Sequence, residues 1–184
     1  MIKKILTILF IGFLNINTNA FSDDIILNSL KEGKKLVFIR HAIAPGNGDP
    51  NNFDINDCST QRNLDKNGIA QSKKIGLFFK NNKIKIDKVL SSEWCRCKDT
   101  AKYAFKKFDT FDALNSFYDE RFAANEAKQI KDLKNYIKKW DSDKNLILVT
   151  HFVVISSILN TSSSSGEIII SDENLNIIGS INTM

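Results

Sequence analysis

The sequence predicts a single α/β domain in three layers, a mostly parallel central sheet flanked by helices. Short apolar runs at 36–39, 89–91 and 146–150 have strand length and give way to polar residues. Segments with apolar residues at helical spacing alternate with them, the order that produces parallel strands joined by helical crossovers. The 184 residues suit one domain with a true core, and they carry no internal repeat or linker.

Taken in order, the chain opens on Lys3 and Lys4, a short apolar stretch from Ile5 to Leu14, and Thr18-Asn19-Ala20, a small-x-small site. That order describes a secretory signal peptide over residues 1–20, with the folded domain at 21–184. The apolar stretch is too short for a comfortable permanent span, so stable membrane insertion is not expected once the signal is removed. Asp24 to Lys31 reads as a short helix stopped by Gly33, and Leu36 to Arg40 as the first strand. Residues 44–60 hold both prolines of the chain among Gly, Asn and Asp and form a long loop. Such a loop after a strand end is usually functional. Asp65 is placed to cap a helix running to about Asn81, with Ile69, Ile75, Leu77 and Phe78 as its apolar stripe.

Val89 to Ser91 is a second strand, and Ser92 is a candidate cap for a helix from Glu93 to about Lys106. Residues 111–118 are irregular, with room for a short strand. Ala124 to Trp140 is an amphipathic helix whose stripe of Ile130, Leu133, Tyr136, Ile137 and Trp140 faces the core. Leu146 to His151 is the third strand, Phe152 to Leu159 a helix leaving its end, and Thr161 to Gly166 a polar turn. Glu167 to Ser171 and Asn176 to Ile181 close the chain as strands, paired as a hairpin around 172–174.

Composition is that of an ordinary globular protein, 42% hydrophobic and 26% charged. The formal charge of +5 falls to +3 once Lys3 and Lys4 leave with the signal. With no clustered basic face, that is too weak to argue for nucleic acid. Three cysteines in an exported chain allow one disulfide and leave one thiol. Cys95 and Cys97 are two apart on a helix and point to nearly opposite sides. Cys97 shares its face with Ala101, Ala104 and Phe105, and Cys95 shares the wetter one with Asp99 and Lys102. A Cys58–Cys95 bridge is therefore expected, tying the long loop to that helix.

The chemistry-bearing residues sit at strand ends. Arg40 and His41 close the first strand, and the only other histidine, His151, closes the third. In open α/β sheets that lip is where ligands bind. A phosphomonoester is a dianion, so its site needs fixed positive donors, and Arg40 and Arg96 offer planar forks suited to phosphate oxygens. His41 can attack phosphorus through a free ring nitrogen if the other nitrogen donates to a backbone carbonyl. His151 reads as a donor to the transferring group. Arg96 has Glu93 and Asp99 nearby as alternative surface partners, but it lies near a helix start just after a strand. Asn47 and Arg62 are candidate phosphate or substrate contacts from the loop. Two histidines without a dense carboxylate cluster leave few ligands, so no metal is expected.

Arg40-His41-Ala42 resembles the Arg-His-Gly motif of the histidine phosphatase superfamily. Leu64-Asp65-x-x-Gly68-x-x-Gln71 resembles its Leu-Thr-x-x-Gly-x-x-Gln helix start. Ser91-Ser92-x-x-x-Arg96-x-x-x-Thr100-Ala101 is similar to its second arginine motif, and Thr150-His151 to its second histidine. Cys58 to Leu64 resembles the Cys-x-x-Gln-Arg-Asn-Leu run of short exported members. The resemblance covers residues 36 to about 155 in order and spacing. It implies a phosphoglycerate-mutase-like fold, a phosphohistidine intermediate on His41, phosphate contacts from Arg40, Arg96 and His151, and no cofactor. It also exposes a departure. Many members place an acidic glutamate where this chain has Asn115 or Ser116, and others an Asp directly after the second histidine, where Phe152 stands. Asp119 and Glu120 lie a few residues on and are the candidate acids.

The expected activity is thus a metal-independent phosphomonoester phosphatase, periplasmic or secreted, rather than a mutase, for which so short a chain has little lid. Its partners would be a small phosphorylated substrate, a phosphorylated envelope sugar, or protein phosphohistidine. The rival reading is a degenerate member that binds phosphate-bearing envelope material without turnover. The N-terminus makes the first testable claim: mass spectrometry of the mature protein should find it beginning at Phe21, and an intact Met1 in membrane fractions would replace the signal with an anchor.

Overall fold

The structure, a computed structural model, describes residues 18–184; residues 1–17, most of the expected signal segment, lie outside the described residues. The order of elements is α1 (Thr18–Glu32), β1 (Leu36–Arg40), α2 (Lys66–Asn81), β2 (Ile86–Ser91), α3 (Cys95–Phe105), β3 (Asp109–Thr110), α4 (Glu120–Ala123), α5 (Glu126–Lys139), β4 (Asn145–Thr150), α6 (Phe152–Leu159), β5 (Ile168–Ser171) and β6 (Ile177–Ile181). One sheet runs in the order β3-β2-β4-β1-β5-β6. β1, β2, β3 and β4 are parallel, while β5 pairs antiparallel with β1 and β6 with β5. The last two strands form the expected hairpin, whose turn is closed by Asp172 accepting from the backbone of Asn174 and Asn176.

Alternation along the strands builds the three layers. Leu36, Phe38, Leu146 and Leu148 face Leu133 and Ile137 of α5 and Ile155 and Ile158 of α6. Val37, Ile39, Ile147 and Val149 face Ile26 and Leu30 of α1, Ile75 and Phe79 of α2, and Cys97 and Ala101 of α3. β1 and β4 are central and covered on both faces, so they read as unbroken apolar runs, as buried parallel strands do. Among the described residues, no helix is long and apolar enough to cross a membrane.

Several local expectations need correcting. α1 begins at Thr18 instead of Asp24, so the described helix already covers the small-residue site at 18–20. It ends where Gly33 adopts φ +87°, the left-handed turn that glycine takes without steric cost. On α2 the buried positions are Gly68, Gln71, Ser72, Ile75 and Phe79. Leu77, expected in the stripe, is 52% exposed, because the 3.6-residue period from Ile75 lands on Phe79. Asp65 caps α2 as expected, accepting from the Gly68 N–H at 2.8 Å. Gly68 itself is required by proximity: a Cβ there would lie 2.0 Å from the Ile43 carbonyl oxygen. α2 therefore packs directly on the backbone that follows His41.

α3 starts two residues later than expected. Ser92 is not its N-cap; Trp94 takes that place and gives no side-chain cap bond. The Ser92 hydroxyl instead accepts from the Trp94 N–H and turns toward the strand ends. Cys58 and Cys95 form the expected disulfide, with Cα atoms 5.7 Å apart, and Cys97 is a buried free thiol. Cys95 is also buried, because the loop carrying Cys58 covers the face that periodicity alone left wet. Cys58→Ser should lower stability by about 4 kcal/mol by chain-entropy reasoning for a loop of this length. Urea unfolding in the absence of reductant measures it, and reductant should bring the unsubstituted protein close to the variant.

Candidate active site

β1 and β4 pair in parallel with Arg40 opposite Thr150. The His41 N–H extends that ladder by donating to the Thr150 carbonyl at 2.9 Å. The two histidines, each one residue past its strand, therefore come together with ring centroids 5.4 Å apart. Both are buried, at 2% exposure. His41 Nδ1 lies 2.9 Å from the carbonyl of Ala42. With Nδ1–H donating there, Nε2 keeps its lone pair. Burial first, then the charge of Arg96, pushes the His41 pKa well below its ordinary value, against the partial opposition of the Ala42 bond. Burial and Arg96 do the same to His151, with His41 adding to the effect. Both rings are neutral at pH 7.

α3 supplies Arg96 from its first turn, only 3% exposed. Its Nη2 lies 3.5 Å from His151 Nδ1 and its buried Nε has no partner. Arg40 donates to the Ser163 carbonyl at 2.6 Å and lies over the Phe152 ring at 5.2 Å. His151 Nε2 sits 2.9 Å from the Ser92 hydroxyl, which donates to Asn115 Oδ1 at 3.1 Å. Asn115 also accepts from the Glu93 N–H and donates to the Glu93 carboxylate. Of the two residues standing where many family members place a glutamate, Asn115 is an amide that orients Ser92 and, through it, His151, and Ser116 lines the pocket.

The long loop is strapped down by the Cys58 to Leu64 run. Gln61 accepts from the Cys95 N–H at 2.9 Å and donates to the carbonyls of Asp54 and Ile55. Arg62 donates to the carbonyls of Ala44, Gly46 and Gly48. Its guanidinium is spent on loop backbone, although the residue lines the pocket. Asn47 lines the same pocket without a side-chain hydrogen bond. The cavity between these groups has a volume of about 70 Å³, room for a phosphoryl-sized group and not for a large cofactor. Among the described residues, no three or more His, Cys, Asp or Glu side chains group as a metal site would require.

The two candidate acids fare differently. Asp119 lines the pocket, yet it caps α4 and is gripped by Arg121, whose Nε and Nη2 donate at 2.9 and 2.8 Å. Those bonds hold its carboxyl down at about 2, so it keeps no proton to give at neutral pH. Glu120 is exposed and outside the pocket. The sequence reading missed Asp49. Its carboxylate lies in the pocket on Arg96, at 2.8 and 3.1 Å, and also accepts from the Arg62 N–H and the Trp94 indole. Its one sequence signal is its place in Gly46-Asn47-Gly48-Asp49-Pro50, between the first strand and Arg62.

No protein-family model matches the chain, and no curated protein matches it significantly. Solved structures do. The protein histidine phosphatase SixA in complex with tungstate has a TM-score of 0.56 at 15% identity, over 81% of this chain and 97% of that one. A phosphoserine phosphatase variant from Entamoeba histolytica, in complex with phosphoserine, gives 0.54 at 19% identity over 74% and 89%. A phosphoglycerate mutase from Thermus thermophilus gives 0.58 at 13% identity over 80% and 98%. At such identities the likeness establishes a common fold.

The neutral histidines set a pH dependence of stability. In the unfolded chain each takes up a proton below its ordinary value of 6.5; in the folded protein neither does. The unfolded state then binds more protons, so this stability is fully present above 6.5 and is lost as pH falls below it. Asp49, held below its usual range, loses its contribution only at more acidic pH. The urea unfolding free energy should fall between about pH 7 and about pH 5, approaching about 1.4 kcal/mol per pH unit per histidine below the ordinary value. A His41→Asn, His151→Asn double variant should flatten that slope.

Proposed function

We propose that this chain, which has the phosphoglycerate-mutase-like fold of the histidine phosphatase superfamily, is an exported phosphomonoester phosphatase working through a phosphohistidine on His41. One observation carries the reading. A neutral His41, with Nδ1 committed to the Ala42 carbonyl, shares a small buried pocket with Arg40, Arg96 and His151. A lone pair on Nε2 is then the nucleophile, and the guanidinium groups are placed to neutralise the phosphoryl oxygens. His151 can donate from Nδ1 once an anion has drawn a proton onto it, keeping its Ser92 bond on Nε2. Arginine forks supply the charge that a metal would otherwise bring. Export is supported by the order of charges, apolar residues and small residues at the N-terminus. The Cys58–Cys95 bridge adds support, since disulfides persist in oxidising compartments.

The candidate substrates remain small phosphoesters, phosphorylated envelope sugars and protein phosphohistidine, and the size of the pocket favours recognition of the phosphoryl group itself. The second reading, a phosphate-binding module without turnover, draws on Asn115 and Ser116 where many family members have a glutamate and on the engagement of Asp119 by Arg121. Turnover of para-nitrophenyl phosphate separates the two. His41→Ala should abolish it, and Arg96→Ala or His151→Ala should each cost roughly 10²–10³-fold, as loss of one transition-state donor does. Chelator should leave the rate intact. Rapid acid-free quenching should trap an acid-labile phosphoryl group on His41. Undiminished turnover in His41→Ala, or chelator inhibition reversed by metal, would sink the mechanism.

A further inference from the structure

The pocket has two lining carboxylates among the described residues, Asp49 and Asp119. Asp119 is fixed as an anion by Arg121. Asp49 is held on a fork that a phosphoryl group also needs. Both of its oxygens contact Arg96 Nη1, and its side chain is only 8% exposed. Arg96 has no other anion on it, and its Nε is buried without a partner. In the free protein, then, Asp49 stands in for part of the ligand. A dianion entering the pocket competes for Arg96 and brings more negative charge against a carboxylate with little water around it.

We propose that Asp49 is the group that protonates the leaving oxygen, displaced from Arg96 by the incoming phosphoryl group. The proposal rests on the phosphatase reading and supplies the acid which that reading lacks. Burial alone pushes the Asp49 carboxyl up, and in the free protein the hydrogen bond and charge of Arg96 outweigh it, helped by the Arg62 and Trp94 bonds. The other charged and titratable groups facing the pocket are Arg40, His41, Arg62, Arg96, Tyr118, Asp119 and His151. Of these, Arg96 is the one that both anions claim. Weakening its bond to Asp49 beside a dianion moves the carboxyl toward its protonated form.

The cycle balances. The His41 Nε2 lone pair forms the N–P bond as the bond from phosphorus to the leaving oxygen breaks. The Asp49 carboxyl proton passes to that oxygen, which departs as an alcohol. The Asp49 carboxylate then takes a proton from a water whose oxygen attacks phosphorus. The P–N bond breaks, its electron pair returns to His41, and Asp49 is an acid again; when phosphate leaves and Arg96 reclaims the carboxylate, that proton returns to the solvent from which the carboxyl took it up as substrate bound. The loop can present one carboxyl reproducibly. Arg62 and the disulfide hold it, Phe53 stacks on Trp94 with centroids 5.0 Å apart, and Arg121 donates to the Asn51 carbonyl at 3.1 Å.

The test is steady-state kinetics on aryl and alkyl phosphates spanning good to poor leaving groups, for the wild type, Asp49→Asn, Asp119→Asn and Glu120→Gln, with every comparison made in kcat/KM, which reports phosphoryl transfer to His41 and not the hydrolysis common to all esters. Asp49→Asn should lose roughly 10²–10⁴-fold on alkyl phosphates, the range for a general acid, and far less on a dinitrophenyl ester. Asp49→Glu should recover part of the loss. Inorganic phosphate should inhibit Asp49→Asn at least as well as the wild type, because a competing anion is gone. An equal loss on every ester, or a selective loss in Asp119→Asn or Glu120→Gln, overturns the assignment. If Asp49→Asn fails to fold, the other three proteins decide. A steep leaving-group dependence in the wild type excludes a donor, and a shallow one that survives both control variants supports Asp49. Absence of all turnover by the wild type overturns the phosphatase reading with it, whereas turnover with the wrong leaving-group pattern overturns Asp49 alone.

Discussion

The in-register parallel pairing of β1 with β4 is the constraint on which the site depends. Arg40 lies opposite Thr150, and the His41 N–H continues the ladder onto the Thr150 carbonyl. Both faces of these strands are apolar, so the register is held by fit to the two different helix layers and by the polar ends, since a slip of one residue would exchange Leu36 and Phe38 with Val37 and Ile39 and draw Lys35 or Arg40 into the core. With it fixed, the residues just beyond each strand are forced together, and both are histidines. The neighbouring strand does the same for α3: the Ser92 N–H bonds the Val149 carbonyl at 2.9 Å, bringing the start of the Arg96 helix to the same lip. One sheet edge thereby collects residues that are up to 111 positions apart in sequence.

That convergence creates an electrostatic difficulty which the rest of the pocket answers. Arg96 is nearly fully buried and two further guanidinium groups lie close by. Burying an unpaired cation is costly. The chain responds with neutral imidazoles and with carbonyl acceptors for Arg40 and Arg62. For Arg96 it provides a carboxylate, but Asp49 satisfies only Nη1 and leaves Nε bare. The arrangement is stable without being complete, which is the electrostatic state expected of a site awaiting an anion with more oxygens than a carboxylate has.

The features legible in the sequence were those fixed by local periodicity and turn chemistry. β1 and α6 fall where the apolar runs and the flanking residues put them, and Asp65 caps α2 as its spacing indicates. His41, Arg40, Arg96 and His151 were legible because each sits at a strand or helix boundary, and the structure brings all four into one pocket. Less legible were features decided by tertiary neighbours. Cys95 is dry because a distant loop lies over it. Asp49 was hidden for the same reason. A carboxylate in a stretch rich in Gly, Asn and Asp carries no periodic signal, and its partner Arg96 is 47 residues away.

Asn115 holds its neighbours in a way that a carboxyl there would not. Its amide is consumed by Ser92 and by both the backbone and the carboxylate of Glu93, and Ser92 in turn holds His151 Nε2. An ionised glutamate in its place would offer Ser92 and the Glu93 N–H acceptors but would face the Glu93 carboxylate as a second anion, and a protonated one would spend its O–H on that carboxylate. On the proposed phosphatase reading, Asn115 serves the orientation of His151 and leaves protonation of the leaving group to another carboxyl lining the pocket, for which Asp49 on the loop after β1 is the proposed group. That loop is tied down by the Cys58–Cys95 bridge, Gln61 and Arg62. On that proposal the strapped loop and the Asn115 amide are complementary, the amide holding Ser92 and through it His151 while the loop presents the Asp49 carboxyl.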